Sequence, residues 1–131
     1  MEDVKDNVFW FTIDGEKRLA TKNLVPGKQV YNEKFVLSKG TEYRTWDPFR
    51  SKLAASIMNN LEHFPFKEKS NVLYLGVSTG TTISHISDIV GPNGTIFGVE
   101  HSSRVARDFL DRVACCLLYT SPSPRDGLLS R

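Results

Sequence analysis

Two features of this 131-residue chain combine residue types and spacing that could do chemistry. The first is Leu73-Tyr74-Leu75-Gly76-Val77-Ser78-Thr79-Gly80-Thr81-Thr82, where an apolar run gives way to small residues and then to hydroxyls. A glycine-rich turn between a parallel strand and a helix lets backbone approach a ligand closely. The N-terminus of the helix that follows offers unpaired N–H groups to an anion, such as a phosphate or a carboxylate. Thr81 and Thr82 add hydroxyls at that point. The second feature is Glu100, which closes the next apolar run 24 residues after Gly76. A carboxylate at the end of that strand can accept hydrogen bonds from both hydroxyls of a ribose. Turn and acid together describe a nucleoside site, with the loop for the anionic end and the acid for the sugar.

The full G-x-G-x-x-G spacing is absent, because Ser78 stands at its third position. Close approach to a pyrophosphate is therefore less favoured. S-adenosyl-L-methionine (AdoMet) has an amino-acid end and a ribose but no pyrophosphate, so the pattern leans toward it over a dinucleotide. A rival reading uses the same residues. Gly76-Val77-Ser78-Thr79-Gly80 also matches G-x-S-x-G, the nucleophile elbow of α/β-hydrolases, which sits in the same strand–turn–helix context. Ser78 would then be a nucleophile, with an acid and then a histidine expected downstream. Only His85 and His101 follow, and Glu100 is the one acid at a strand end between Ser78 and His101. A Gly-Ser turn without a ligand is the bland alternative.

These residues are positioned by three blocks. Residues 1–46 are strand-like. Residues 8–13 are rich in β-formers and end at Asp14-Gly15, a tight-turn dipeptide. Residues 18–21 form the returning strand, Pro26-Gly27 marks another turn, and residues 34–37 and 42–46 flank Lys39-Gly40. The expectation is a small antiparallel β-domain, with Trp10, Tyr43 and Trp46 in its packing. Residues 47–114 change period. Asp47-Pro48 reads as a helix start, with Leu53, Ile57, Met58 and Leu61 on one face and the helix fading near His63-Phe64-Pro65. Residues 71–75 suit a buried parallel strand. Residues 81–90 suit a helix with Ile83, Ile86 and Ile89/Val90 inward, ended at Gly91. Residues 95–99 are a second strand, and Ser102 or Ser103 can cap a last helix with Val105, Phe109, Leu110 and Val113 inward. Strand–helix–strand–helix order implies a parallel βαβ unit. Residues 115–131 carry no period, and two Ser-Pro pairs work against any element.

Composition bounds the rest. Hydrophobic residues make up 40% and charged residues 24%, which excludes collagen-like, disulfide-scaffold and wholly disordered classes. No apolar run approaches a membrane span, and the acidic N-terminus lacks a signal-peptide core. A cytosolic or nuclear protein is the default. Residues 1–69 hold 12 basic and 10 acidic residues, and residues 70–131 hold 5 and 5, so charge gives no nucleic-acid signal. Cys115 and Cys116 are adjacent, a spacing that suits neither a disulfide nor a metal site.

The segment Tyr43-Arg44-Thr45-Trp46-Asp47-Pro48-Phe49-Arg50-Ser51-Lys52-Leu53-Ala54-Ala55 resembles the Y-R-x-W-x-P-x-x-S-K-L-A-A signature of the fibrillarin family. Residues 73–82 resemble that family's cofactor motif L-Y-L-G-A-S-x-G-T-T, with Val77 in place of the common alanine. Gly98-Val99-Glu100 resembles the end of its second strand, and His101 stands where Tyr or Phe is usual. The likeness covers residues 1–114. It implies an α/β fold: a truncated Rossmann-like AdoMet-dependent methyltransferase domain (residues 47–114) preceded by a small antiparallel β-domain (residues 1–46). It implies guide-RNA-directed 2′-O-methylation of rRNA and tRNA within a box C/D ribonucleoprotein. The implied partners are a Nop-domain protein, a kink-turn-binding ribosomal-protein homologue and the guide RNA.

Site residues follow from the same likeness. Gly76, Ser78, Gly80, Thr81, Thr82, Glu100 and His101 would hold AdoMet, with no metal. The family uses a lysine–aspartate–lysine–glutamate set, and Lys52 matches its first lysine. The other three members belong downstream of Ala114 and have no counterpart here. Without the resemblance, Lys52 reads as a solvated charge on an amphipathic helix. The lack of a Gly/Arg-rich leader is similar to the archaeal form, hence cytoplasmic; a eukaryotic source would imply the nucleolus. Residues 116–126 resemble, at all 11 positions, the conceptual translation of a transposase adapter used in making sequencing libraries. Residues 115–131 are therefore expected to be an artefactual or disordered tail, with the genuine protein continuing past Ala114 and the given chain inactive by itself. The alternatives kept are a non-catalytic assembly or nucleotide-binding module and a serine hydrolase.

Overall fold

The computed structural model describes residues 1–76, 80–100, 107, 119–122 and 127–130. Strands β1 (Glu2–Lys5), β2 (Val8–Ile13), β3 (Glu16–Lys22), β4 (Phe35–Ser38) and β5 (Thr41–Trp46) form one antiparallel sheet in the order β1-β2-β3-β5-β4. The hairpin between β2 and β3 turns on Asp14 (φ 52°) and Gly15 (φ 81°), with Ile13 opposite Glu16. Two successive left-handed residues match the strand twist, which is why an Asp-Gly pair closes this turn. β1 was not expected from the sequence; apart from Val4 its residues are charged, and it forms by pairing on the edge of β2.

Alternation divides the sheet into two faces. Val8, Leu19 and Trp46 are buried on the face that meets the helices, in one cluster with Ala54, Ile57 and Ile89. Phe11, Ala20 and Tyr43 form a second cluster with Phe9, Ile13 and Val36. Trp10 packs half-buried against the helix-facing cluster, with the Lys17 ammonium 5.7 Å from its ring centre.

The second sheet is built on β6 (Asn71–Leu75) and β7 (Thr95–Glu100), which pair in parallel with Leu75 opposite Val99. Helix α2 (Thr81–Val90) connects them and ends at Gly91. Its Ile83, Ile86 and Val90 pack with Ile96, Val72 and Tyr74. β6 differs from the buried strand expected. Leu73 and Leu75 are 65% and 72% exposed, because only the Val72/Tyr74 face is covered by α2. Helix α1 (Lys52–Met58) also departs from expectation at both ends. Its N-cap is Ser51, whose Oγ accepts the Ala54 N–H, while Asp47 instead holds a turn by accepting the Phe49 N–H at 2.9 Å. It stops at Asn59, well before His63, and Asn60 is left-handed (φ 64°). Ile57 is buried and Leu53 and Leu61 pack, but Met58 is exposed.

Beyond β7, the chain contains β8 (Tyr119–Pro122) and β9 (Gly127–Ser130), in the order β6-β7-β9-β8. The expectation that the Ser-Pro pairs would prevent any element is thus corrected. Antiparallel pairing of β9 to β7, Glu100 opposite Gly127, satisfies the backbone of an otherwise open edge. The helix expected after Ser102 or Ser103 lies outside the described residues. No helix among the described residues is long and apolar enough to cross a membrane.

A buried polar network joins the first sheet to α2. The Arg44 guanidinium pairs with Glu33 at 2.8 Å and Asp88 at 3.2 Å, and all three side chains are at most 2% exposed. It also donates to Ser84 Oγ at 2.8 Å. The carboxylates are further satisfied by N–H groups of Val30 and Tyr31 on Glu33 and of Leu24 on Asp88. His85, wholly buried, stacks on Trp46 with ring centres 4.8 Å apart. Thr21 donates its one hydroxyl hydrogen to Asp88, so it accepts from His85 Nδ1 at 2.7 Å. Nε2 lies 2.7 Å from Tyr31 Oη, whose own hydrogen goes to Thr45 O, and 3.4 Å from the Arg44 guanidinium. Burial and then the Arg44 charge hold the imidazole pKa well below its ordinary value. Burial raises that of the Tyr31 hydroxyl.

Two expectations follow. Arg44→Met leaves Glu33 and Asp88 buried without their cation and should cost about 3–5 kcal/mol of stability in urea unfolding; a loss below about 1 kcal/mol would refute the network's role. His85 is neutral when folded, whereas in the unfolded chain it takes up a proton below about pH 6.5. The unfolded state then binds the extra proton, so stability should fall as pH drops below that value, by up to about 1.4 kcal/mol per unit. His85→Gln should flatten this slope, and an unchanged slope would mean that His85 titrates normally.

Candidate cofactor and catalytic site

The turn after β6 begins with Gly76 in the left-handed region (φ 75°). Its amide donates to Val99 O at 2.8 Å, which extends the parallel pairing by one step before the chain turns away. Among the described residues beyond its chain neighbours, no atom lies within 4 Å of where a Cβ would stand. Gly80 ends the turn, also left-handed (φ 97°), and is the N-cap of α2. A side chain at either position would be strained. Gly80 O accepts the Ser84 N–H, and among the described residues no side chain caps the first turn of α2. The first N–H groups of this ten-residue helix point back toward its Gly80 end. Glu100 ends β7 one residue beyond Val99, at the carboxyl end of the parallel pair and next to Gly76. That is the end of a parallel sheet at which ligands bind in open α/β folds.

Open glycine backbone, an uncapped helix N-terminus and a strand-end acid fit the amino-acid end and ribose of AdoMet. Ser78 and His101, the remaining sequence-derived candidates, lie outside the described residues. Thr81 is buried at the helix start. Thr82 is half-buried, and its Oγ1 donates to Ser51 Oγ at 2.8 Å. Burial raises the pKa of the Tyr74 hydroxyl, and the Thr82 hydroxyl pulls it the opposite way.

The Thr82–Ser51 bond brings the start of α1 to the start of α2. Lys52, the first residue of α1, is exposed and has no ion pair among the described residues. Sequence reasoning singled out Lys52 and Thr82 separately and missed Ser51, although a serine three residues before Ala54 is an N-cap signal. It also missed the buried role of Arg44. His85, a candidate base for the hydrolase reading, is engaged at both ring nitrogens inside the network. It is unavailable to Ser78. Two grooves, about 570 Å³ each, lie elsewhere: one beside Asp6 and Phe64, the other beside Tyr31, Phe49 and Arg50.

The family model described as Fibrillarin matches residues 1–115. A curated relative, the fibrillarin-like rRNA/tRNA 2′-O-methyltransferase of Thermococcus onnurineus, is 59% identical over 97 residues, covering 74% of this chain and 43% of the relative. The chain thus spans less than half the length of this relative. Among solved structures, Aeropyrum pernix fibrillarin in complex with natively bound S-adenosyl-L-methionine is 50% identical. It superposes with a TM-score of 0.78 over 80% of this chain and 46% of that one. A fibrillarin/Nop5p complex is 38% identical with a TM-score of 0.64, covering 83% and 48%. Signature, turn, parallel strand pair and small β-sheet all fall within the matched residues, and the chain belongs to the fibrillarin family.

Proposed function

We propose that residues 1–114 are the N-terminal part of an AdoMet-dependent RNA 2′-O-methyltransferase that works within a box C/D ribonucleoprotein. The observation that carries this reading is the Thr82–Ser51 hydrogen bond, which joins the start of α2, two residues after Gly80, to the start of α1, where exposed Lys52 stands. The names of the relatives and the cofactor in the Aeropyrum structure support it. AdoMet, when bound, supplies a methyl group on a sulfonium that a nucleophile can take without further activation. The chain's residues do the rest. Gly76 and Gly80 let the backbone close on the cofactor, the first turn of α2 offers N–H groups to its carboxylate, and Glu100 would accept from its ribose hydroxyls.

Lys52 acts on the RNA. As the ribose 2′-hydroxyl loses its proton, an ammonium nearby stabilises the oxygen's growing negative charge. The family's acid and second lysine, which would receive the proton and complete the set, have no counterpart in this chain. The 131-residue chain by itself is accordingly read as inactive, with weak or absent AdoMet binding. Positioning of the RNA falls to a Nop-domain partner, a kink-turn-binding protein and the guide RNA, of which the Nop5p complex of a relative supports the first. Residues 115–131 lie almost wholly beyond the matched family region. With the adapter-like run at 116–126, this supports their being foreign to the family enzyme.

In the full-length protein assembled with guide RNA and partners, Lys52→Ala should lower single-turnover methyl transfer by about 100- to 1,000-fold with little change in AdoMet affinity. An unchanged rate would instead favour a purely assembly role. Residues 1–131 tested the same way should give no methylated RNA and no calorimetric AdoMet binding at micromolar concentration. Turnover by this chain would overturn the inactivity reading.

A further inference from the structure

We infer that the Thr82–Ser51 hydrogen bond is a positioning strut that sets where Lys52 stands relative to the start of α2. This rests on the methyltransferase reading above. α1 has only seven residues, too few to hold itself rigidly in water. The turn before it gives little support. Asp47 and Arg50 form an exposed ion pair at 3.8 Å, and Phe49 is 97% exposed. Ser51 is the exception in this stretch, at 3% exposure. Its Oγ accepts twice, from Ala54 N–H at 3.3 Å as the helix cap and from Thr82 Oγ1 at 2.8 Å. Both acceptor lone pairs are then filled.

Lys52 follows directly and has no side-chain hydrogen bond or ion pair among the described residues. Its ammonium is therefore placed by the backbone of α1, and that backbone is pinned at Ser51. Thr82 belongs to the first turn of α2, whose position is set by Gly80 and by the Arg44 network behind it. The start of α2 and the lysine's helix are thus fixed to each other through two hydroxyls. Thr82's hydroxyl hydrogen is committed to Ser51, so its side chain has no hydrogen left for the cofactor's carboxylate and serves the lysine instead. Ser51 and Thr82 are positioning residues in this sense, and neither touches the reacting atoms.

The test uses the full-length protein in the assembled particle. Thr82→Val removes the donor at nearly constant shape and leaves the Ser51 cap of Ala54 in place. The methyl-transfer rate at saturating AdoMet should fall about 10- to 100-fold, as small displacements of catalytic groups do. AdoMet Kd should stay within about twofold, and Thr82→Ser should restore most of the rate. Ser51→Gly, a tolerated N-cap, breaks the same bond from the other end and should reproduce the loss. In a Lys52→Ala background, Thr82→Val should have no further effect.

An unchanged saturating rate for both variants overturns the strut. So does a loss confined to Kd, which would make Thr82 a cofactor ligand, or a loss undiminished in the Lys52→Ala background, which would make the bond merely structural. If the unsubstituted particle transfers no methyl group, the methyltransferase reading fails and takes the strut with it. An active particle indifferent to Thr82→Val removes the strut alone.

Discussion

Arg44, held between Glu33 and Asp88 in the interior, is the constraint on which the other arrangements rest. A guanidinium with this little solvent is tolerable only if every donor is met and both carboxylates are themselves satisfied. Those conditions draw in Thr21 from β3, the backbone of residues 24, 30 and 31, and Ser84, His85 and Asp88 from α2. The β-sheet and the helix that carries the cofactor turn therefore cannot slide past each other without leaving buried charge unpaired. Apolar packing of Val8, Leu19 and Trp46 against Ala54, Ile57 and Ile89 supplies the attraction, but it is non-directional. The ionic network supplies the register.

The position of α2 then governs the site. Asn7 donates to Ile89 O at 2.8 Å near the far end of the helix, and the network grips its middle. Among the described residues no side chain caps its first turn, whose N–H groups point toward the Gly80 end. Rigidity behind and open donors in front suit a site that must bind an anionic group without rearranging. Ser51 and Thr82 transmit the same rigidity sideways to α1. The small sheet is thus more than a cover. It is the base against which the cofactor helix, and through it Lys52, is placed.

The second sheet shows the reverse condition. α2 covers the Val72, Tyr74 and Ile96 face, while Leu73, Leu75 and Phe97 on the other face remain exposed. A doubly wound sheet needs helices on both faces, and this chain spans 43% of the length of the Thermococcus relative. β9 occupies the edge beside β7 by antiparallel backbone pairing, and β8 pairs with β9 in turn. Backbone pairing of this kind makes little demand on residue type, and β8 accommodates Ser121-Pro122 at its end.

Local rules sufficed where an element's identity depends on neighbours in sequence. Asp14-Gly15 and Lys39-Gly40 located their hairpins, Gly91 ended α2, and the spacing of Ile83, Ile86 and Ile89/Val90 gave its buried side. The cofactor turn was legible because glycine at left-handed φ is a local demand, and the family likeness rested on contiguous motifs. Other features depended on residues far apart in the chain. Nothing local marks Arg44 as buried; Glu33 and Asp88 close on it from 11 and 44 residues away. His85 looked available until Thr21 and Tyr31, 64 and 54 residues distant, engaged both its nitrogens. Asp47-Pro48 satisfied every local rule for a helix start, yet the helix began at Lys52, where Ser51 could cap Ala54 and accept from Thr82 at once. A sequence by itself determines backbone preference and periodicity, because those are properties of a few consecutive residues. Which polar side chains are buried together, and which cation stays free, is decided by tertiary structure, because desolvation and pairing exist only after distant segments meet.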